Sequence, residues 1–312
     1  MNSRCLLSRR EFLARTALVS SAAALGSVGV WPGQAADRFA PPISVFSKVY
    51  QELKLDFDAS AELTAEAGLD GIDCPVRPGG EVLPERATDD MPRYAEALRK
   101  RKVEMLLLTT AILSPSTPHA EDILRAAKKL GIRYYRLGPV QMRGDGPTTK
   151  AVADLKAGLK DLAQLNKELG LTALCQNHSP SGKTHYLGGD LQELHEIVRD
   201  FPPEQIGVAF DLGHALIMYG EEWGPHFERL KSHLKVAYVK DANIHGRFTR
   251  FGEGDFKGTD WFTRLKAMGY AAPFSLHIEF DWDDKGRDKN RAALLRTLKE
   301  SVATLRQWTA KA

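Results

Sequence analysis

The sequence predicts a single (β/α)8 barrel, and three observations carry that prediction. From residue 43 onward, eight short β-branched or apolar runs alternate with longer amphipathic segments. Glycine closes the clearest amphipathic segments, at Gly68, Gly131 and Gly170, where left-handed backbone ends a helix. The rival is a doubly wound open sheet, which uses the same units. No Gly-x-Gly-x-x-Gly follows the first run, since RPGGEV at 77–82 does not match, and no shift in composition marks a second domain.

The elements follow in order. ISVFS (43–47) opens the barrel. DASAELTAEAGL (58–69) is a helix with Asp58 and Ser60 as cap candidates. GIDCP (71–75) and VEMLLLT (103–109) are strands two and three. PHAEDILRAAKKLG (118–131) is helical, RYYRLG (133–138) extended, and KAVADLKAGLKDLAQLNKELG (150–170) helical again. LTALCQ (171–176), IGVAFD (206–211), KVAYVK (235–240) and FSLHIEF (274–280) supply the last four strands. A helix from about Asn290 to Lys311 closes the chain.

The N-terminus has a different logic. Arg9 and Arg10 in SRREFL precede an apolar, small-residue segment from Ala17 to Val30, and GQAAD (33–37) follows. That order is an export signal, and the arginine pair resembles a twin-arginine address. The apolar segment falls short of the ~20 residues of a spanning helix. We therefore expect residues 1–36 to be a signal, and 43–312 to be an exported barrel, periplasmic or secreted, without stable membrane insertion. Cys5 leaves with the signal, and two cysteines, Cys74 and Cys175, are no disulfide framework but small buried hydrophobes. A net charge of +3 with scattered Lys and Arg speaks against a nucleic-acid partner.

Catalytic groups of such barrels sit at the C-terminal strand ends. Here those ends carry Ser47-Lys48, Asp73 then Arg77, Thr109-Thr110, Arg136, Gln176-Asn177-His178, Asp211 then His214, Lys240-Asp241, and Glu279 then Asp281. Polar groups thus gather at one pole, so LCQNHSP (174–180) reads as the wall of a site rather than a surface turn. In AFDLGHA, Asp211 and His214 are spaced to reach one bound ion or substrate. Strand alternation puts Ser275, His277 and Glu279 on one face, with His277 supporting Glu279 from below. Oxygen from Gln176, Asp211 and Glu279 forms a hard donor set, suited to Mg²⁺ or Mn²⁺. The fourth ligand stays open among Tyr238, Lys240, Asp241 and His245.

GLDGIDCPVRPGG, LCQNHS, FDLGH, AYVKD, GEGDF and SLHIEFD, in that order, resemble the xylose-isomerase-like barrels, a superfamily of sugar isomerases and epimerases that also holds endonuclease IV. The resemblance covers about residues 43–310. It implies a divalent metal held at the ends of strands five to eight by Glu, Asp, His and Glu. Those positions fall on Gln176, Asp211, a strand-seven residue and Glu279, with His214 contacting substrate. Two departures stand out: Gln176 replaces a Glu, and Tyr238 falls where the His would be. The expectation is a metal-dependent isomerase or epimerase moving a proton through an enediolate on a sugar or keto-sugar. Glu279 or Lys240 would be the base and His214 a catalytic partner; Arg136, His178, Asn177, Asp73 and Arg77 would bind substrate. Gln176 cannot take a proton, which leans toward a one-base alternative, a lyase or hydratase on an oxidised sugar. A non-catalytic periplasmic carbohydrate binder is a further alternative. The histidines and basic groove of a nuclease are missing. A small carbohydrate is the expected partner, with a homo-oligomer left open.

Overall fold

The apolar runs pair as the periodicity requires. In the computed structural model, which describes residues 39–143, 148–282 and 289–312, they form ten strands. These are β1 (Ile43–Phe46), β2 (Gly71–Val76), β3 (Glu104–Thr110), β4 (Tyr134–Arg136), β5 (Gln141–Arg143), β6 (Thr172–Gln176), β7 (Thr184–Tyr186), β8 (Ile206–Asp211), β9 (Leu234–Val239) and β10 (Phe274–Leu276). Eight of them close a barrel in the order β1-β2-β3-β4-β6-β8-β9-β10, with β10 returning to β1. The registers are parallel throughout, as in Ile43↔Phe274 and Gln176↔Ala209. The predicted (β/α)8 barrel is therefore the fold. The export segment, with Cys5, Arg9 and Arg10, lies outside the described residues.

Several boundaries differ from the sequence reading. The stretch 274–280 is a strand only to Leu276. Its neighbour β9 ends at Val239, whose carbonyl accepts the His277 N–H at 3.0 Å, and beyond that point no ladder partner remains. Glu279 therefore sits on a loop rather than in a strand. β5 and β7 form a two-stranded antiparallel ribbon that the sequence did not announce, since each is three residues long and shows no apolar alternation.

Helix Phe57–Glu66 starts one residue earlier than read. Its cap is Asp56, which accepts from the Ala59 N–H at 2.8 Å, while Asp58 lies in the first turn and Ser60 is buried. Gly131 and Gly170 end their helices with φ of 78° and 71°, as expected. The last helix, Arg291–Ala310, starts after an Asn290 cap.

Packing separates the molecule into two apolar layers. A large outer core fills the space between strands and helices, with Trp261, Tyr50, Tyr94 and Phe210 fully enclosed, and the free thiols of Cys74 and Cys175 lie within it. A small inner plug of Leu107, Leu174, Ala209, Val236 and Tyr238 fills the barrel axis. The polar strand-end side chains gather at the C-terminal pole above that plug. Among the described residues, no helix is long and apolar enough to cross a membrane.

Candidate active site

Adjacent strand ends bring the polar residues into one connected network. Arg136 ends β4, and its Nη1 donates to Gln176 Oε1 at 2.7 Å. Gln176 ends β6, and its Nε2 donates to Asp211 Oδ2 at 2.9 Å. A neutral amide suits this place because it offers its oxygen to a cation and its N–H to an anion. Asp211 ends β8 and caps helix Leu212–Tyr219, its Oδ1 accepting from the His214 N–H at 3.2 Å.

Lys240 lies one residue past β9 and is 3% exposed. Its Nζ is 3.0 Å from Asp211 Oδ2, 2.9 Å from His214 Nε2 and 4.0 Å from Glu279 Oε1. The ring of Phe248 covers it, 5.2 Å to the centroid. The glycine of FDLGH is required here: a Cβ on Gly213 would stand 2.5 Å from the Lys240 carbonyl oxygen.

The two histidine rings of the wall pack in a tilted pair, with centroids 3.8 Å apart. His214 Nδ1 meets both the Ser179 N–H at 3.1 Å and the Ser179 hydroxyl at 2.9 Å. The Ser179 N–H can only donate, so Nδ1 is an accepting nitrogen. Burial, then the charge of Lys240, holds His214 well below its ordinary range. His178 Nδ1 lies 2.7 Å from the Ser179 carbonyl, which can only accept, so its Nε2 keeps a lone pair. Burial and Lys240 push His178 down to about 4, so it is neutral at physiological pH.

Glu279 completes the charged cluster, its Oε1 4.0 Å from Lys240 Nζ. Lys48 Nζ reaches both its oxygens at 2.9 Å, and His277 Nδ1 lies 3.8 Å from Oε1. Burial alone would raise this carboxyl, but the neighbouring His277 ring and the charges of Lys240 and Lys48 outweigh it and hold Glu279 well below the usual carboxylate range. Its side chain is 24% exposed, whereas that of Asp211 is closed to solvent. Arg77 follows β2, half-buried over the Phe46 ring at 5.6 Å, with its charge opposed by that of Arg136.

The sequence matches the family model described as xylose isomerase-like TIM barrel over residues 61–307. The chain belongs to that family. No curated protein sequence matches it. Among solved structures it resembles an L-ribulose 3-epimerase, with TM-score 0.66 and 16% identity over 87% of this chain and 95% of that one. It also resembles the 3-keto-D-glucoside 4-epimerase of E. coli in its apo form, with TM-score 0.62 and 12% identity over 86% and 100%. A probable 3-DHS dehydratase from Bacillus anthracis gives TM-score 0.60 and 13% identity over 84% and 98%. Identities this low carry the fold and leave the reaction to the site itself.

The family resemblance implied a divalent metal, and the donor set of this barrel does not fit one. Gln176, Asp211 and Glu279 do converge on one pole, as the sequence led us to expect. Yet the Gln176 oxygen is taken by Arg136, both Glu279 oxygens by Lys48, and Asp211 by Lys240. Among the described residues, no three His, Cys, Asp or Glu side chains are placed to hold an ion. The open fourth position finds no ligand either. Tyr238 belongs to the inner plug, its ring tilted against His277 with centroids 4.5 Å apart. Asp241 accepts from the backbone N–H groups of Gly252, Gly254 and Phe256 and so pins the loop after β9. His245 is held at Ile217, away from the pole.

Two residues expected to bind substrate have other duties. Asn177 is wholly buried and clamps the Asp211 backbone, donating to its carbonyl at 2.8 Å and accepting from its N–H at 2.7 Å. Asp73 is also wholly buried, with Thr109 and Ser275 each donating to one oxygen at 2.8 Å, so it forms the floor beneath the site. Arg136, Arg77 and His178 remain at the wall; His277 and Glu279 both follow the end of β10, and His277 Nδ1 lies 3.8 Å from Glu279 Oε1 without a hydrogen bond, so strand alternation does not govern that pair.

Sequence reasoning missed Lys48 as the partner of Glu279, Ser179 as the partner of His214, and Glu81. No local pattern announces any of them. Glu81 is a largely enclosed carboxyl on the loop after β2, receiving hydrogen bonds from Ser47 Oγ and from Tyr94 OH. Burial pushes it up to about 8. Because the folded value is raised, its stabilising contribution is complete below about 4.5, the unfolded value, and fades as pH rises toward 8. We expect stability to fall between pH 5 and pH 8 by at most about 1.4 kcal/mol per pH unit from this group. Urea unfolding of Glu81→Gln should show that slope flattened; an unchanged slope refutes the assignment.

Proposed function

We propose that this barrel is an isomerase-type enzyme acting on a sugar or keto-sugar by enediolate proton transfer, with Glu279 as the base. The observation that carries the reading is that Glu279 is the ionised, partly open carboxylate of the pole, facing a wall of neutral and cationic groups. Glu279 takes the proton from carbon beside the substrate carbonyl, and the electron pair becomes the enediolate double bond. The same carboxyl returns the proton to the former carbonyl carbon, while the proton of the neighbouring hydroxyl passes to the former carbonyl oxygen, so that the carbonyl moves one carbon along. One base on one face suffices for a carbonyl shift between adjacent carbons. Inversion at carbon needs a proton carrier on the opposite face, where Gln176 has none to exchange; His178 would have to serve.

A lyase acting on an oxidised sugar is the second reading, and one observation favours it. Arg136 Nε is buried with no hydrogen-bond partner among the described residues, and no side-chain hydrogen bond or ion pair is made there by Arg77. Two guanidinium groups whose charges oppose each other at one wall suit a carboxylate. Incubation with keto-sugars and with sugar acids in deuterated water, followed by NMR, decides between the two. Isotope exchange with isomer formed supports the first reading, and loss of water with a new carbonyl supports the second. A folded protein that does neither with either set would leave the carbohydrate-binding alternative.

We also propose export by the twin-arginine route, on the strength of SRREFL and the segment after it. Changing Arg9 and Arg10 together to Lys should hold the protein in the cytoplasm on fractionation; unchanged export rejects the route.

A further inference from the structure

We infer that the side-chain cation of Lys240 stands where a divalent ion would otherwise sit, so that this site works without a metal. The groups around its Nζ are an aspartate oxygen at 3.0 Å, an imidazole nitrogen at 2.9 Å and a glutamate oxygen at 4.0 Å. Those are the donor types that gather around a metal ion. An ion bound to them would need oxygen distances of about 2.0–2.6 Å, which places it against Nζ itself.

Charge points the same way. The two carboxylates Asp211 and Glu279 already face three cations of the chain: Lys240, Lys48 and, through Gln176, Arg136. The cluster stands at plus one, and a divalent ion would take it to plus three in an enclosed space. Nor can Lys240 easily step aside. It is 3% exposed, Phe248 covers it, and its backbone is packed against Gly213 at a distance that admits no Cβ. Tethering changes the chemistry as well as the charge. A lysine beside the developing enediolate oxygen offers positive charge together with the one N–H not given to Asp211 or His214, and it is present whatever the metal supply.

This inference goes beyond the isomerase reading and needs no substrate for its test, so either can fail without the other. Protein dialysed against Mn²⁺ and washed should carry no stoichiometric manganese by elemental analysis, and its melting temperature should not respond to Mn²⁺ or EDTA. Lys240→Met combined with Gln176→Glu removes the cation, keeps the length of the side chain and adds an anion. That variant should bind Mn²⁺ at least about tenfold more tightly than the parent, read from the loss of the free-ion EPR signal. Lys240→Arg, which keeps the charge, should stay free of manganese. One Mn²⁺ per chain in the unaltered protein overturns the inference, a measurement that depends on no variant folding. A folded double variant with no gain in Mn²⁺ binding overturns it too.

Discussion

Glu279→Gln is expected to abolish exchange of substrate carbon-bound hydrogen with solvent and to lower turnover by about 10²–10⁴-fold, the range a positioned general base supplies. Glutamine keeps the shape and the hydrogen-bonding oxygen but has no lone pair basic enough to take a carbon-bound proton. Loss of fold cannot explain the effect. The partner left behind is Lys48, whose side chain is 33% exposed and can return to water. Lys240 retains Asp211 at 3.0 Å. Circular dichroism should be unchanged while NMR in deuterated water shows no exchange. Full turnover in Glu279→Gln removes Glu279 from the mechanism and, with it, the enediolate reading.

Asp211→Asn should have the largest effect on stability. Asp211 and Lys240 form an ion pair in which neither side chain exceeds 4% exposure. Removing one partner of such a pair leaves an unpaired buried charge, which costs about 3–5 kcal/mol. For a domain of this size that corresponds to a melting temperature lower by roughly 10 °C. Asparagine preserves volume and an oxygen for the cap on helix Leu212–Tyr219, so the loss can be assigned to charge. The check is a second substitution. Asp211→Asn with Lys240→Met removes both charges and should recover most of the lost stability, because an apolar replacement of a buried ion pair is often nearly neutral. A single Asp211→Asn within about 1 kcal/mol of the parent would mean that water reaches Lys240 and that the pair is not buried in solution.

Glu279 and Gln176 show how unevenly the site could be read from the chain. Both were legible as strand-end residues, because a barrel places its strand ends at one pole and the apolar runs mark where strands stop. Their partners were not. Lys48 and Glu279 are separated by 231 residues, and only closure of β10 onto β1 brings them to 2.9 Å. Contacts between strands likewise made Asn177 and Asp73 parts of the scaffold, although from sequence each looked as available to a substrate as His178. A polar residue at a strand end can point to the mouth, to the floor or to a neighbouring backbone, and periodicity does not distinguish these.

Local patterns determined what local physics governs. Alternating apolar runs and amphipathic segments specified the barrel, and Gly131 and Gly170 specified helix ends through their left-handed backbone. Only the tertiary structure decided which charge answers which. Electrostatic pairing depends on distances across the barrel, and a lysine one residue past its strand has the same local signature whether it faces solvent or two carboxylates. Lys240 faces the carboxylates, at 3.0 and 4.0 Å, because burial at the barrel pole removes water as its alternative partner.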